Sequence, residues 1–585
     1  MSANHTGILY QPNEGPPAGL VLTLALQFVI LLIAGVIFIP TVVVQTGGGS
    51  DSYLVWNLFA AVITAGIATI LQAIRWGRVG AGHIIVMGGS TAFMAVSILA
   101  LSESGPGTLA TLVFISAFIP LLFSMKLSLF RRILTPTVSG TIMMLIPATI
   151  MPVIFDMLNK VPSGTPGFAP IISVLVTAFV MISLMLKATG VLRLCAPVIG
   201  IIIGSIVAGF FDLYDIGRVV NASWVGLPKG GWPGLDLEFG TVFWRLLPSF
   251  ALVAFIDIIQ DISNTIATQC VSWRQKRAVN YQEVQGAVTS AGIGNIFCGL
   301  AGVMANSSRP VSAPVTELTG VAARSVGITT GLIFISLAFF PKVLAIVLAI
   351  PGPVVGTYLM ILLAMLFVGG MKSVVKDGID YRKSLVVGFS FWVGIGFQSG
   401  KIFPEYSADF LGGILQSGMT SGGLTAIIMT LFINLTESRR SRLETECDSS
   451  ALPKIRKFLD EFASRYGLSK EIKERIDSAC EETLLTFLWH GDDQSKRKRK
   501  RLLVVAYKEE DDVILELVAI TGKGNIQDRI ALLDNQSAQT PLEQEFSLRL
   551  LRHLASSVRH EQYHDIDVVT VRVDTRPIVA TSIPA

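Results

Sequence analysis

Between Ala18 and about Asn434 the chain is a succession of apolar runs separated by short polar links. A helix of about 20 apolar residues crosses a bilayer. The candidate spans are Leu20–Val43, Leu54–Ile74, His83–Leu101, Leu109–Met125, Pro136–Met157, Pro170–Leu186, Leu192–Phe211, Phe243–Ile266, Val284–Val303, Val311–Ala323, Ile328–Ile350, Val354–Val368, Leu385–Phe397 and Ile414–Leu435. That is about fourteen, of which the third and tenth are irregular or short. Only 15% of the 585 residues are charged, against about 25% in soluble domains. The deficit ends near Glu437. The expected organisation is a tail over 1–17, an α-helical polytopic membrane domain over 18–436 and a cytoplasmic α/β domain over 437–585. No cleavable signal peptide is evident, because the first run is long, lacks a basic leader and is followed by more spans. The five cysteines show no paired spacing and read as reduced. No cofactor, metal site or nucleic-acid partner is expected; the partners are a small solute and lipid.

Asp257 and Asp261 sit in the middle of the apolar stretch Phe250–Ala267, at i and i+4, so both share one helix face. Asn264 and Thr268 extend it. A carboxylate at the bilayer centre costs about 2.5–3.5 kcal/mol on insertion scales, so the pair is expected to line a polar cavity for a solute, an ion or a proton. This points to a transporter. The competing reading is a structural pair satisfied by backbone or hydroxyl groups.

Most basic residues fall in alternate links: Arg75/Arg78, Lys126/Arg131/Arg132, Lys187/Arg193, Arg274/Lys276/Arg277, Arg324 and Lys372/Lys376/Arg382/Lys383, with Arg439/Arg440/Arg442 after the last span; Lys160, Arg218, Lys229 and Lys401 lie in the intervening links and Lys342 inside a span. By the positive-inside rule these links are cytoplasmic, an even span count is implied, and both termini lie on the cytoplasmic side of the inner membrane. Two spans are broken. One carries Gly88 and Gly89 before a new apolar helix; the other runs Asn306-Ser-Ser-Arg-Pro-Val-Ser-Ala-Pro. Broken spans aim helix N-termini at the midplane, where many transporters bind their solute. One break falls in each half, which suggests a 7+7 inverted repeat.

Several segments resemble the nucleobase–ascorbate transporter family, the uracil/xanthine permeases. They are the opening Leu24-Ala-Leu-Gln-Phe helix, Leu134-Thr-Pro-Thr-Val-Ser-Gly-Thr, the acidic Asp257-Ile-Ile-Gln-Asp, Leu318-Thr-Gly-Val-Ala-Ala-Arg-Ser-Val-Gly, and Phe340-Pro-Lys-Val-Leu through Gly352-Pro-Val-Val-Gly. The resemblance covers about residues 18–435. It implies fourteen spans arranged as core and gate domains, elevator-type movement, a homodimer, and proton- or sodium-coupled symport of a nucleobase such as uracil or xanthine. By position, Asp257 takes the place of the substrate-binding acid, and Asp261, with Asn264 on its face, belongs to ion coupling. Phe93 would stack on a flat ring. The tenth span departs from the family's Asn-Thr-Thr-x-Ser-Gln-Asn-x-Gly. Val311 stands where a Gln or Glu pairs with the base, Ser312 where an Asn follows, and Phe28 where the first span has a histidine. Arg309 is gained nearby. A cation beside a helix N-terminus suits an anionic solute, as in the related sulfate-permease-type carriers. Carboxylates, inorganic anions and urate therefore stay open, as does a transporter-derived sensor. Arg309 at the outer interface, snorkelling, is the alternative placement. His83 reads as interfacial rather than as a proton relay, and Glu283 and Glu317 as solvated.

In the soluble part, Cys447–Leu488 reads as two amphipathic helices, and Leu502–Tyr507 with Val513–Ile520 as a β-hairpin. A helix over Gln544–Val558 and a strand over Val568–Val573 follow. The order, with Cys480-Glu-Glu-Thr-Leu-Leu-Thr-Phe-Leu-Trp-His-Gly, resembles the ATPase fold of anti-sigma-factor kinases. Thr486 stands in place of the magnesium-binding Asn, and Ile520-Thr-Gly-Lys-Gly in place of the adenine-reading motif. That implies an inactive module with a regulatory protein partner. The basic run Lys496–Arg501 suits either anionic lipid or a solvated hairpin.

Overall fold

The computed structural model describes residues 8–127, 135–159, 161, 165–228, 230–275, 277–376, 378, 380–400, 402, 418–436, 440–448, 450–488, 501–509, 512–519, 525–527, 543–564 and 566–575. Arg131, Arg132, Lys160, Lys229, Lys276, Lys401, Lys496–Lys500 and the motif Ile520–Gly524 lie outside the described residues. The chain divides into two compact units: Met1–Arg274 with Glu283–Asn434, and Gln275–Gln282 with Leu435–Ala585.

The first unit begins with α1 (Ala18–Thr46) and α2 (Asp51–Ala73). Ser50 caps α2, its hydroxyl accepting from Tyr53 N–H at 3.3 Å, and Asp51 faces the positive end of the helix dipole. The expected third span is not one helix. A three-residue strand β1 (Met87–Gly89) precedes α3 (Met94–Ser116), which is followed by α4 (Phe118–Met125). Gly105 (φ +83°) before Pro106 breaks α3, separating the expected third and fourth spans. Then come α5 (Pro136–Asn159), α6 (Ala169–Lys187), α7 (Gly190–Leu194), α8 (Ala196–Gly209), α9 (Ile216–Asn221), α10 (Thr241–Val271) and α11 (Tyr281–Ala301). The tenth span is broken like the third: strand β2 (Asn306–Ser308) leads into the short α12 (Ser312–Thr319). The expected eleventh span is instead two helices, α13 (Arg324–Ala338) and α14 (Pro341–Leu348), bent by 87°. Pro341 has no N–H to continue α13 and is well placed to start a new helix. The unit closes with α15 (Gly352–Lys376), α16 (Tyr381–Gln398) and α17 (Gly418–Thr436).

Among the described residues eight helices are long and apolar enough to cross a membrane, or nine if the bent pair counts as one span. Strands β1 and β2 pair antiparallel, Met87 with Ser308, Gly88 with Ser307 and Gly89 with Asn306, and all six residues are buried. Non-helical backbone survives at membrane depth only where protein groups satisfy it. Thr69 Oγ1 accepts from Met87 N–H at 3.0 Å, Asn295 Oδ1 from Asn306 N–H at 2.7 Å, and Ala305 O from Ser90 N–H at 2.8 Å.

Helices α5 and α15 approach closely through two glycines. A Cβ on Gly140 would lie 2.6 Å from Gly370 O, and one on Gly370 would lie 2.6 Å from Gly140 O. Gly140→Leu is therefore expected to destabilise the membrane unit by about 3 kcal/mol. Unfolding of the detergent-purified protein checks this; unchanged stability would mean that the crossing opens freely.

The second unit holds an antiparallel sheet in the order β3-β4-β5-β7-β6. Its elements are β3 (Ser441–Glu446), α18 (Ala451–Arg465), α19 (Lys470–Leu488), β4 (Arg501–Glu509), β5 (Asp512–Ala519), α20 (Glu543–Leu554), β6 (Ser557–Gln562) and β7 (Asp567–Asp574). Leu502, Val504 and Ala506 on β4, Val513, Leu515 and Leu517 on β5, and Val569, Val571 and Val573 on β7 share one core with the period of a pleated strand. Ile455, Leu459 and Phe462 of α18 join it at helical spacing. The two helices, the hairpin and the last strand lie close to their expected positions. The helix expected over Gln544–Val558 stops at Leu554. Ser556 N–H donates to Arg572 O at 2.8 Å and starts β6 at the sheet edge. β3 was hidden in the charged run after the last span, because an edge strand with an exposed face carries polar residues.

Candidate functional site

Helix α10 carries both carboxylates, and both are buried. Each is tied to one of the two broken spans. Ser90, just after β1, donates its hydroxyl to Asp257 Oδ1 at 2.7 Å. Ser308, at the end of β2, donates its backbone N–H to Asp261 Oδ1 at 2.8 Å. One turn on, Asn264 Nδ2 donates to Ser308 O at 2.9 Å and to Ser308 Oγ at 3.0 Å. The i, i+4, i+7 face of α10 therefore reads along the strand pair: Asp257 bonds the third-span break and lies beside Ser307 of the tenth, and Asp261 and Asn264 bond the tenth.

The first turns of α3 and α12 flank this pair, with Phe93 and Val311 immediately before them. Their dipole ends offer partial positive charge on the side of α10 that carries the carboxylates. Ser312 Oγ accepts from Val86 N–H at 3.1 Å, so its hydroxyl holds the backbone ahead of β1. Phe93 is 1% exposed and packs on Phe250, ring centroids 5.9 Å apart and inclined by 56°. Val311 is half-buried.

Arg309 is buried, not at an interface. Its backbone N–H donates to Val86 O at 2.9 Å, and its Nη2 donates to Gly35 O at 3.2 Å and to Gly89 O. Glycine makes room for it: a Cβ on Gly88 would lie 3.0 Å from Arg309 Nε. The guanidinium thus clamps α1 to the strand pair. The region contains two buried acids and one buried base, and the base bonds to carbonyls.

Sequence reasoning missed Ser90 as the partner of Asp257 and Gly35 and Gly89 as the seat of Arg309. The signal available was the cluster of glycines and hydroxyls at the two breaks. His83 and Glu283 were misplaced. Both are buried, and they are hydrogen-bonded to each other at 2.9 Å. The reason is that α2, α10 and α11 converge there, which no local pattern reveals. Glu317 is exposed, as expected. An open crevice of about 400 Å³ lies elsewhere, between the C-terminal ends of α1 and α5, lined by Val42, Gln45, Thr46, Val153, Asp156, Met157 and Asn159.

A family model for xanthine and uracil permeases, described as the Permease family, matches residues 19–402. The chain belongs to the Permease family. The permease is 26% identical over 442 residues to the xanthine permease XanP of Escherichia coli, covering 72% of this chain and 94% of that protein. It is 26% identical over 452 residues to XanQ of Escherichia coli, covering 74% and 95%. It is 23% identical over 433 residues to the nucleobase transporter PlUacP of Paenibacillus larvae, covering 73% and 98%. Among solved structures, the transmembrane domain of the cyanobacterial bicarbonate transporter BicA aligns at a TM-score of 0.43 and 16% identity, covering 72% of this chain and 99% of that one. That likeness is too distant to bear on function. These similarities and the apolar helices make the permease a multi-pass membrane protein that moves a small molecule, and not an enzyme.

Proposed function

We propose that the permease is a secondary active transporter of a nucleobase of the xanthine or uracil type, driven by protons or sodium. The observation that carries this reading is Asp257, a buried carboxylate at the junction of two broken spans; with Ser90 bonded to it and Ser307 beside it, its two oxygens still keep acceptor capacity for ring N–H groups. The relatives named as xanthine permeases support the substrate class. Asp257 accepts from the base, Phe93 and Val311 contact its face and edge, and Ser312 holds the helix start. Asp261 and Asn264 bind or organise around the coupling ion. The strands β1 and β2 and the facing glycines of α5 and α15 support fourteen spans as a 7+7 repeat, since each pairs an element of one half with its counterpart in the other. Core and gate domains moving in an elevator-type cycle, a homodimer, an inner-membrane location and cytoplasmic termini complete the reading, the last from the basic links. Residues 437–585 act as a regulatory module, not an ATPase. Thr486 supports this, because its hydroxyl is turned back onto Glu482 O at 2.8 Å.

A second reading has one observation in its favour. Arg309 places a buried positive charge beside the site, which suits an acidic solute such as urate or another anion. Thermal stabilisation of the purified protein by xanthine, uracil, urate and inorganic anions separates the two, because a ligand bound only by the native state raises apparent stability. A shift with xanthine or uracil that disappears in Asp257→Ala supports nucleobase transport. A shift with anions alone that disappears in Arg309→Ala supports the second reading and rejects the first.

A further inference from the structure

At the far end of α10 a second cluster of polar side chains converges, outside the site described above. Glu283, in the first turn of α11, is 7% exposed. Its Oε1 accepts from Arg75 Nη1 at 2.6 Å. Its Oε2 accepts from Gln269 Nε2 at 2.9 Å and lies 2.9 Å from His83 Nε2. A carboxylate paired with an arginine acts as an acceptor, so His83 Nε2 donates this contact, and in the neutral ring Nδ1 keeps a bare lone pair. That Nδ1 is buried without a hydrogen-bond partner, and His83 as a whole is 1% exposed. The edge of Trp273 meets the imidazole at 6.1 Å. Among the described residues the other charged groups around the pair are Arg75 and Arg324; Arg324 feels the charge of Glu283, and its Nε donates to Gly82 O at 3.1 Å, one residue before His83.

Two features connect this cluster to the site. Along α10, Asp261 is followed by Thr265, Thr268 and Gln269, all buried, so a polar face runs from the acids to Glu283. Along the chain, His83 leads through β1 to Ser90, the partner of Asp257. A buried imidazole with one free nitrogen beside an ionised carboxylate is built to accept a proton.

We propose that His83, backed by Glu283, is the acceptor of the coupling proton between Asp261 and the basic-link side of the membrane. An N–H bond forms at His83 Nδ1 as an O–H bond at the site breaks. Glu283 is the counter-charge of the resulting imidazolium; the Nε2 proton then passes to Glu283 Oε2, and from there to water on the side where Arg75 is 35% exposed. The proposal rests on the proton-driven form of the transport reading. If the cluster were only a clamp between the link after α2 and the start of α11, every activity would fall together when it is cut.

The experiment uses full-length protein in proteoliposomes with radiolabelled xanthine. Accumulation driven by an inward proton gradient is compared with equilibrium exchange in the absence of a gradient. His83→Gln and Glu283→Gln are both measured, since each keeps a polar side chain in place. Accumulation is expected to fall by about tenfold or more while exchange stays within about threefold of wild type. Parallel loss of both in both variants means a clamp and overturns the proposal, as does undiminished accumulation. Wild-type exchange without gradient-driven accumulation defeats the proton-coupled reading and the proposal with it. Wild-type protein that neither exchanges nor accumulates xanthine defeats the substrate reading.

Discussion

Asp257→Asn is expected to weaken xanthine binding by about 100-fold while leaving the fold intact. The asparagine oxygen can still accept from Ser90, so the 2.7 Å contact with the third-span break survives. What disappears is a carboxylate oxygen, replaced by an amide NH2 that only donates, and a buried polar group left without its partner costs about 1–3 kcal/mol. That range corresponds to about five- to more than a hundredfold in affinity. Ligand-induced stabilisation of purified protein is the measurement, with uptake in proteoliposomes beside it. A variant that binds and transports like the wild type would move the substrate contact away from Asp257. Asp261→Asn provides the contrast. Its oxygen can still accept from Ser308 N–H, so binding is expected to stay within about threefold while gradient-driven accumulation falls.

The second large effect lies in the second unit and concerns acid. His560 on β6 is 2% exposed. Its Nδ1 accepts from Ile526 N–H at 2.9 Å, which pins the segment at Asn525–Gln527, and Asn525 Nδ2 donates to His560 O at 2.9 Å. Burial pushes the imidazole down to about 4, against the opposing pull of Asp567, whose Oδ1 lies 4.0 Å from Nε2. The unfolded chain takes up this proton near 6.5, and the native one only near 4. The stabilisation is therefore fully present above about 6.5 and is lost as pH falls towards 4, reaching about 3 kcal/mol in all. Hydrogen exchange in β4, β5 and β7 of the full chain, at pH 7 and pH 5, reads it. At pH 5 the wild type is expected to have lost about 2 kcal/mol more than His560→Gln. An equal loss in both would mean that the imidazole charges within the native fold.

These two sites differ in how far the sequence alone reveals them. The acids at Asp257 and Asp261 stood out because charge inside an apolar run is costly, and their i, i+4 spacing placed them on one face. The breaks at Gly88-Gly89 and Asn306-Ser-Ser stood out because small residues and prolines interrupt helical runs. His560, by contrast, sits just beyond the helix expected over Gln544–Val558, where no element was expected, and only the pairing of β6 with β7 carries it into the interior. Arg309 could be assigned neither to the site nor to the interface until α1 was seen to pass beside it. His83 and Glu283 are two hundred positions apart, and each looked like an ordinary residue at a span end.

The chain by itself determined that it is a membrane protein with a charge-rich C-terminal region, which helix carries the acids, where the spans break, and the family to which its motifs belong. All of these are local, because insertion into lipid and helix breaking depend on stretches of about 20 residues or fewer. The tertiary structure decided which break serves which acid, how α13 and α14 divide one apolar run, where Arg309 finds its carbonyls, and which polar residues at the span ends are buried together. Those outcomes depend on which helices pack side by side, and a hydrogen bond between distant segments leaves no periodic trace in either of them.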